Sequence, residues 1–235
     1  MNETTVTKPA RAAPPAERDA DGKSRRTRQE SQSEKRGVIL AAARNVFDRA
    51  GYDGASMNDI AAEAAVSKPT LYVYFDSKER LFDALIDDMS ASVPEQVLDL
   101  DPSDPDVTGV LTRCGIALMT KITQPDRINM LRVVLGAAGK FPEIGHKFFA
   151  AGPGRAIATF KAYLQAVDAK GWLAVPDPDL AAYHLLELIQ AVHLRRLLFS
   201  VAERPSEAEI DRTVKAGVRA FLAAYGPLTA NRPGR

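Results

Sequence analysis

The sequence predicts an all-α fold, on three observations. Apolar residues recur at helical spacing from Lys35 nearly to the end of the chain, with no convincing period-two strand pattern. Prolines and glycines fall between the periodic stretches and divide them into separate helices. Cap signatures, a Ser or Asp followed closely by an acid or a proline, stand at the starts of several of those stretches. With 235 residues, 46% hydrophobic and 26% charged, the chain is long enough for one or two domains with real cores. No run approaches the roughly 18 apolar residues that a membrane span requires.

Residues 1–32 are rich in Ala, Pro, Ser and charge with almost no apolar residues, which predicts a disordered arm. Residues 23–36 hold Lys23, Arg25, Arg26, Arg28, Lys35 and Arg36 against only Glu30 and Glu34, on a chain whose overall charge is +1. A basic arm on a neutral body favours a polyanion at that end. The first helix follows, with Ile39, Ala43, Val46, Phe47 and Ala50 on one side and Gly51 as its stop. Ser56 and Asp59 resemble a capping box, so a second helix runs from there to about Ala64 with Ile60, Ala61 and Ala64 inward. After a short turn, Ser67 caps a third helix that tolerates Pro69 because first-turn amides lack intrahelical partners. A fourth starts near Ser77, carries Leu81, Phe82, Leu85, Ile86 and Met89 on one face, and ends before Pro94.

Beyond the loop "LDLDPSDPD", helices are predicted at about 107–123, 126–140, 143–151 and 154–170, separated by Pro125, Pro142 and Gly152-Pro153-Gly154. Asp177-Pro178 opens a helix to about Val201, and the capping box Ser206 to Glu209 opens a last one to about Tyr225.

The chemistry of most enzyme classes has no foothold. His146, His184 and His193 are the only histidines, and no Cys or His spacing makes a metal site. His184 and Glu187 form a helical neighbour pair expected to be structural. "DLDPSDPD" has Asp104 and Val110 where a calcium loop needs Gly and Glu. "DGKS" has Glu17 in place of the first glycine of a phosphate loop, and no Gly-x-Ser-x-Gly elbow occurs. Catalytic residues, metals and cofactors are therefore expected to be none. Cys114 stands alone in an apolar run and is expected to be a small buried hydrophobe. With no apolar secretory core at the start, the chain reads as cytoplasmic.

The third helix is the informative one. Leu71 and Phe75, four residues apart, fix its inward side, so Pro69, Thr70, Val73 and Tyr74 face out. A helix this short does not hold in water by itself and must be clamped by its two predecessors. Two short helices, a tight turn and a supporting helix describe a helix-turn-helix, whose second helix enters the DNA major groove. Thr70 can bond a base edge, Pro69 and Val73 can pack on a thymine methyl, and Lys68 can donate to guanine. Tyr72, Tyr74 and Lys78 carry donors suited to phosphate oxygens.

The stretch "ILAAARNVFDRAGYDGASMNDIAAEAAVSKPTLYVYFDSKERLFDAL" resembles the DNA-binding domain of the tetracycline-repressor (TetR) family, most specifically in "DIAAEAAVSKPTLYVYF" with Lys78 following. "LRVVLGAAGKFPEIGHKFFAAGPGR" resembles the C-terminal domain of a TetR subgroup related to multidrug-efflux regulators. The resemblance implies a helix-turn-helix domain over 34–90 and a helical ligand-binding and dimerisation domain over 91–228. Such a protein is a homodimeric transcriptional regulator, usually a repressor, released from its double-stranded operator by a small ligand. By the same resemblance Asn58, Lys68, Pro69, Thr70 and Val73 approach bases, while Ser56, Ser67, Tyr72, Tyr74 and Lys78 hold phosphates. The basic arm would add minor-groove or phosphate contacts. The chain departs from the family at Ala65, where glycine is common; a left-handed conformation there costs about 1 kcal/mol.

The helix at 178–201 is apolar all round, from Leu180, Leu185 and Leu188 to Val192, Leu197 and Phe199. It must either lie at the centre of a monomer or serve a core and a partner together. The last helix offers Ile210, Val214, Gly217, Val218, Phe221 and Tyr225. A four-helix interface made from two such pairs, helices 178–201 and 207–225 of each subunit, is the expected dimer. Met119, Met130, Phe148, Phe149, Tyr163 and Trp172 are candidates for a pocket lining or for plain core. The competing reading is an all-α enzyme or scaffold that keeps a non-binding helix-turn-helix.

Overall fold

The computed structural model describes residues 18–91 and 99–227. Among them the chain forms α1 (Arg18–Gly54), α2 (Met57–Glu63), α3 (Lys68–Tyr74), α4 (Lys78–Ala91), α5 (Val107–Ile122), α6 (Pro125–Ala138), α7 (Pro142–Ala151), α8 (Pro153–Ala169), α9 (Pro178–Gln190), α10 (His193–Leu198) and α11 (Glu207–Tyr225). No described residue is in a strand, and none of these helices is long and apolar enough to cross a membrane. α6, α7, α8 and α9 each begin on a proline. A proline there loses no helical hydrogen bond and brings a φ already suited to the helix.

Two expectations are corrected. α1 starts at Arg18, so the disorder predicted for 1–32 does not hold over 18–32; residues 1–17 lie outside the described residues. The Arg, Lys, Gln and Glu of this stretch are good helix formers, and they extend a helix already nucleated by its packed half. The helix expected over 178–201 is interrupted between α9 and α10. Ala191 (φ −50, ψ −38) and Val192 (φ −82, ψ −43) keep helical dihedrals. The chain direction therefore survives, and buried positions continue through Leu185, Ile189, His193 and Leu197.

Two cores organise the molecule. The first is built on Ile39, Val46 and Phe47 of α1, Ile60 of α2, Leu71 of α3 and Phe82 of α4, and it continues into Met130, Val133 and Val134 of α6 and Ile144 of α7. Packing therefore does not divide at residue 90. The second joins α5, α8, α9 and α11 through Leu111, Phe160, Leu164, Leu185 and Phe221. Each such side chain, when fully buried, contributes about 1.5–3 kcal/mol. Cys114 is buried in this second core, and desolvation pushes its thiol up to about 12, so it packs as a hydrophobe and stays protonated. α9 and α11 approach so closely at Gly217 that a Cβ there would lie 2.7 Å from the Leu188 carbonyl oxygen. His184 bonds the Tyr225 hydroxyl at 2.7 Å, while Glu187 pairs with Arg195.

Candidate nucleic-acid interface

The segment that presents α3 is assembled from a bend outward. At Gly51 (φ 69, ψ 174) the regular helix of α1 breaks, in a region of dihedral space that is essentially glycine-only. The bend folds Tyr52 against Phe47 (centroids 5.8 Å apart) and edge-on to Phe82 and Phe141 (both 5.1 Å). Lys78 lies over the Tyr52 ring at 4.6 Å, and its Nζ donates to the carbonyls of Tyr52 (2.8 Å), Ala55 (3.0 Å) and Asp53 (3.4 Å). An ammonium has three protons, and these three carbonyls use them. Lys78, expected at a phosphate, here sets its Nζ on these three carbonyls and pins the segment leading into α2.

α2 opens at Ser56, whose Oγ accepts from the Asp59 amide (3.2 Å) and donates to the Asp59 carboxylate (2.6 Å). Met57, Ile60 and Ala61 are its buried side. It closes with two bonds, Val66 N–H to Ala61 O (3.0 Å) and Ala65 N–H to Ala62 O (3.1 Å), the paired pattern of a Schellman motif. Its left-handed residue is Ala65, at φ 51. Ser67 then caps α3, accepting from the Thr70 amide at 3.2 Å. Leu71 and Phe75 are buried, and the Arg36 guanidinium stacks over Phe75 at 5.4 Å.

The remainder of α3 is presented to solvent. Asn58, Ser67, Lys68, Pro69, Tyr72 and Val73 are exposed, and Ser56, Thr70, Tyr74 and Lys78 are half-buried. Val73, a β-branched apolar residue, is 81% exposed, which an isolated monomer gains nothing from. Tyr74 leans on the first core. The hydroxyls of Ser67 and Thr70 bond each other at 2.7 Å; one proton serves that bond, so the pair retains a second proton and free lone pairs. Sequence reasoning counted Arg36 only among the basic arm; its place beside the last turn of α3 depends on the Phe75 contact, which no local pattern marks.

A cavity of about 200 Å³ lies among α4 to α10, walled by apolar side chains such as Ile86, Met89, Leu118, Phe148, Leu186 and Leu194, with Ser90, Arg127 and Gln190 as polar members. Arg127 donates to the Met89 carbonyl at 2.7 Å, and desolvation lowers its pKa. Of the residues weighed for a lining, Phe148 takes part. Met119 and Met130 are core, Tyr163 is buried in the second core and also borders a separate cleft with Leu100 and Pro102, Phe149 is exposed, and Trp172 packs half-buried on the second core.

Residues 39–85 match the family model of bacterial regulatory proteins of the tetR family, and residues 109–227 match the C-terminal domain of AefR-like transcriptional repressors. The chain belongs to the TetR family. A solved TetR-family regulator from Mesorhizobium loti is 30% identical with a TM-score of 0.72, over 83% of this chain and 98% of that one. The solved flavonoid-responsive regulator FrrA is 27% identical with a TM-score of 0.71, over 84% and 100%. The transcriptional activator FasR of Mycolicibacterium smegmatis is 45% identical over 65 residues, 28% of this chain and 30% of that protein. The match thus spans less than a third of that curated relative's length. As a member of the TetR family this chain is a transcriptional regulator and not an enzyme, which removes the enzyme reading considered above.

Proposed function

We propose that this TetR-family regulator is a cytoplasmic homodimeric repressor that reads a double-stranded operator through α3 and is released by a small apolar ligand. The observation that carries the reading is α3 itself: its inner side is spent on Leu71 and Phe75, while Val73 stands 81% exposed among exposed Lys68, Pro69 and Tyr72. Lys68, Pro69, Thr70, Val73 and Asn58 contact bases, and Ser56, Ser67, Tyr72 and Tyr74 contact phosphates. Lys78 acts from behind by fixing the start of α2. The basic segment 23–36 adds minor-groove or phosphate contacts. The cavity among α4 to α10 receives the ligand, whose body is apolar because the walls are. Dimerisation is supported by Leu180 (49% exposed), Tyr183 (43%), Val192 (46%) and Phe199 (78%) along α9, α10 and the turn beyond, a run of apolar surface that a partner would cover.

Gel shifts against fragments of the gene's own upstream region, with salt varied, test the reading. Affinity for one fragment should fall steeply with salt. Thr70→Ala should alter preference between sites by about 1–3 kcal/mol per lost base contact, whereas Tyr72→Phe should weaken every duplex alike. Identical effects of the two substitutions on all sequences would refute this division of labour.

A further inference from the structure

α3 contributes nothing to the cavity wall, so occupancy must reach the reading head through other helices. We infer that Arg132 is the positioning residue that couples the cavity to the reading head, by tying the end of α10 to α1; the inference rests on the ligand-release reading above. Arg132 projects from α6 and is exposed, yet it is held at four points. Nη2 donates to Leu197 O (2.5 Å) and Ser200 Oγ (2.8 Å), Nε to Leu198 O (3.2 Å) and Nη1 to Asn129 Oδ1 (3.1 Å). The first three lie at the end of α10, where the Leu197 carbonyl also accepts from the Ser200 amide (3.0 Å) and a cation is favoured. Asn129 passes the connection on, its Nδ2 donating to Asp48 Oδ2 on α1 at 3.2 Å. α1 in turn supplies Ile39, Val46 and Phe47 to the core that also holds Ile60 of α2 and Leu71 of α3.

α10 is placed to report what the cavity holds. It is six residues long and is separated from α9 by the interruption at Ala191 and Val192. Gln190 at that joint and Leu194 on α10 both line the cavity. A molecule that presses Leu194 outward acts on a short segment already set apart from α9 at Ala191 and Val192. The guanidinium is a planar fork with fixed directions. When the carbonyls of Leu197 and Leu198 shift, Arg132 either follows them or lets go, and in both cases its bond to Asn129, and through it the seat of α1 on α6, changes.

A cavity-filling substitution serves as the probe. Ala156 lies in the wall on α8, and Ala156→Phe fills the space from within. Affinity for an operator duplex selected from a random library is measured by fluorescence anisotropy for the full-length wild type, Ala156→Phe, Arg132→Lys and the double variant. Coupling of ordinary strength predicts about a tenfold loss from Ala156→Phe in the wild-type background and less than about twofold in the Arg132→Lys background. Lysine keeps the charge but not the fork, so a role confined to charge at the end of α10 would leave the tenfold loss in place and overturn the inference. That outcome leaves ligand release standing. If Ala156→Phe leaves wild-type affinity unchanged, the cavity does not govern DNA binding, and the release reading falls together with the coupling. Asp48→Ala cuts the same connection at its other end and should abolish the effect of Ala156→Phe equally, which keeps the test valid if either Arg132 variant folds poorly.

Discussion

At Gly51 the helix of α1 is kinked, and Tyr52, Lys78 and the carbonyls of Tyr52, Asp53 and Ala55 assemble around the bend. Nothing within 4 Å crowds a Cβ at this position, so the demand for glycine is one of dihedral angles alone. Gly51→Ala should therefore lower stability by about 1–3 kcal/mol, read as a lower urea midpoint with unchanged slope. Ala65, at φ 51, holds the opposite kind of strain: an L-residue where glycine would rest. Ala65→Gly should raise stability by about 1 kcal/mol without altering base preference. A shift in preference would mean that the strained turn itself sets the angle of α3. Gly51 was legible as a helix stop, and Ala65 through the family resemblance, which commonly has glycine in that turn. The carbonyl contacts of Lys78 were not legible in the sequence. Its carbonyl partners lie more than twenty positions upstream, and no local spacing encodes a contact made by folding back over that distance.

Among the elements, the helices that open on a cap or a proline were the readable ones, since the cap satisfies orphan amides of its own first turn and needs no tertiary partner. The capping box of α11 is complete: Ser206 N–H and Oγ–H donate to the Glu209 carboxylate at 2.8 Å each, and Glu209 N–H donates back to Ser206 Oγ at 3.3 Å. These bonds, the backbone one first, hold the Glu209 carboxyl below the usual carboxylate range. A carboxylate whose folded pKa is depressed contributes stability that is present above its unfolded pKa and lost as pH falls through the folded one. Ser206→Ala removes a donor to that carboxylate, so its stability should decline less on acidification, through the range below the ordinary glutamate value, than that of the wild type. Urea midpoints at neutral and acid pH measure this; parallel declines would show that the box contributes nothing through charge. What could not be read was the break between α9 and α10 or the reach of α1 back to Arg18. An apolar stripe continues through Ala191 and Val192 unaltered, and a polar stretch extending an existing helix looks in sequence like a tail.

For the molecule as a whole, the surface left over by the two cores decides the assembly. α9 uses Leu185 and Ile189 inward, and Gly217 allows α11 to press against its backbone, yet Leu180, Tyr183, Leu188 and Val192 remain on the outside. Sequence could reveal that this helix has too much apolar perimeter for one core, but not which side the monomer keeps, since that depends on where α8 and α11 lie against it. Leu180 and Leu188 are 49% and 36% exposed, so charging them removes little from the monomer's own core while placing like charges face to face across the proposed two-fold interface. Leu180→Glu with Leu188→Glu should therefore leave the helical circular dichroism intact and convert a dimer to a monomer in sedimentation equilibrium. Since a dimer places two copies of α3 on half-sites a helical turn apart or a multiple of it, losing the partner should cost about 10²–10⁴-fold in affinity for a palindromic operator and far less for an isolated half-site. If the double variant stays dimeric and keeps that affinity, this exposed flank of α9 is not what joins the two reading heads, and the pairing must be sought on another face.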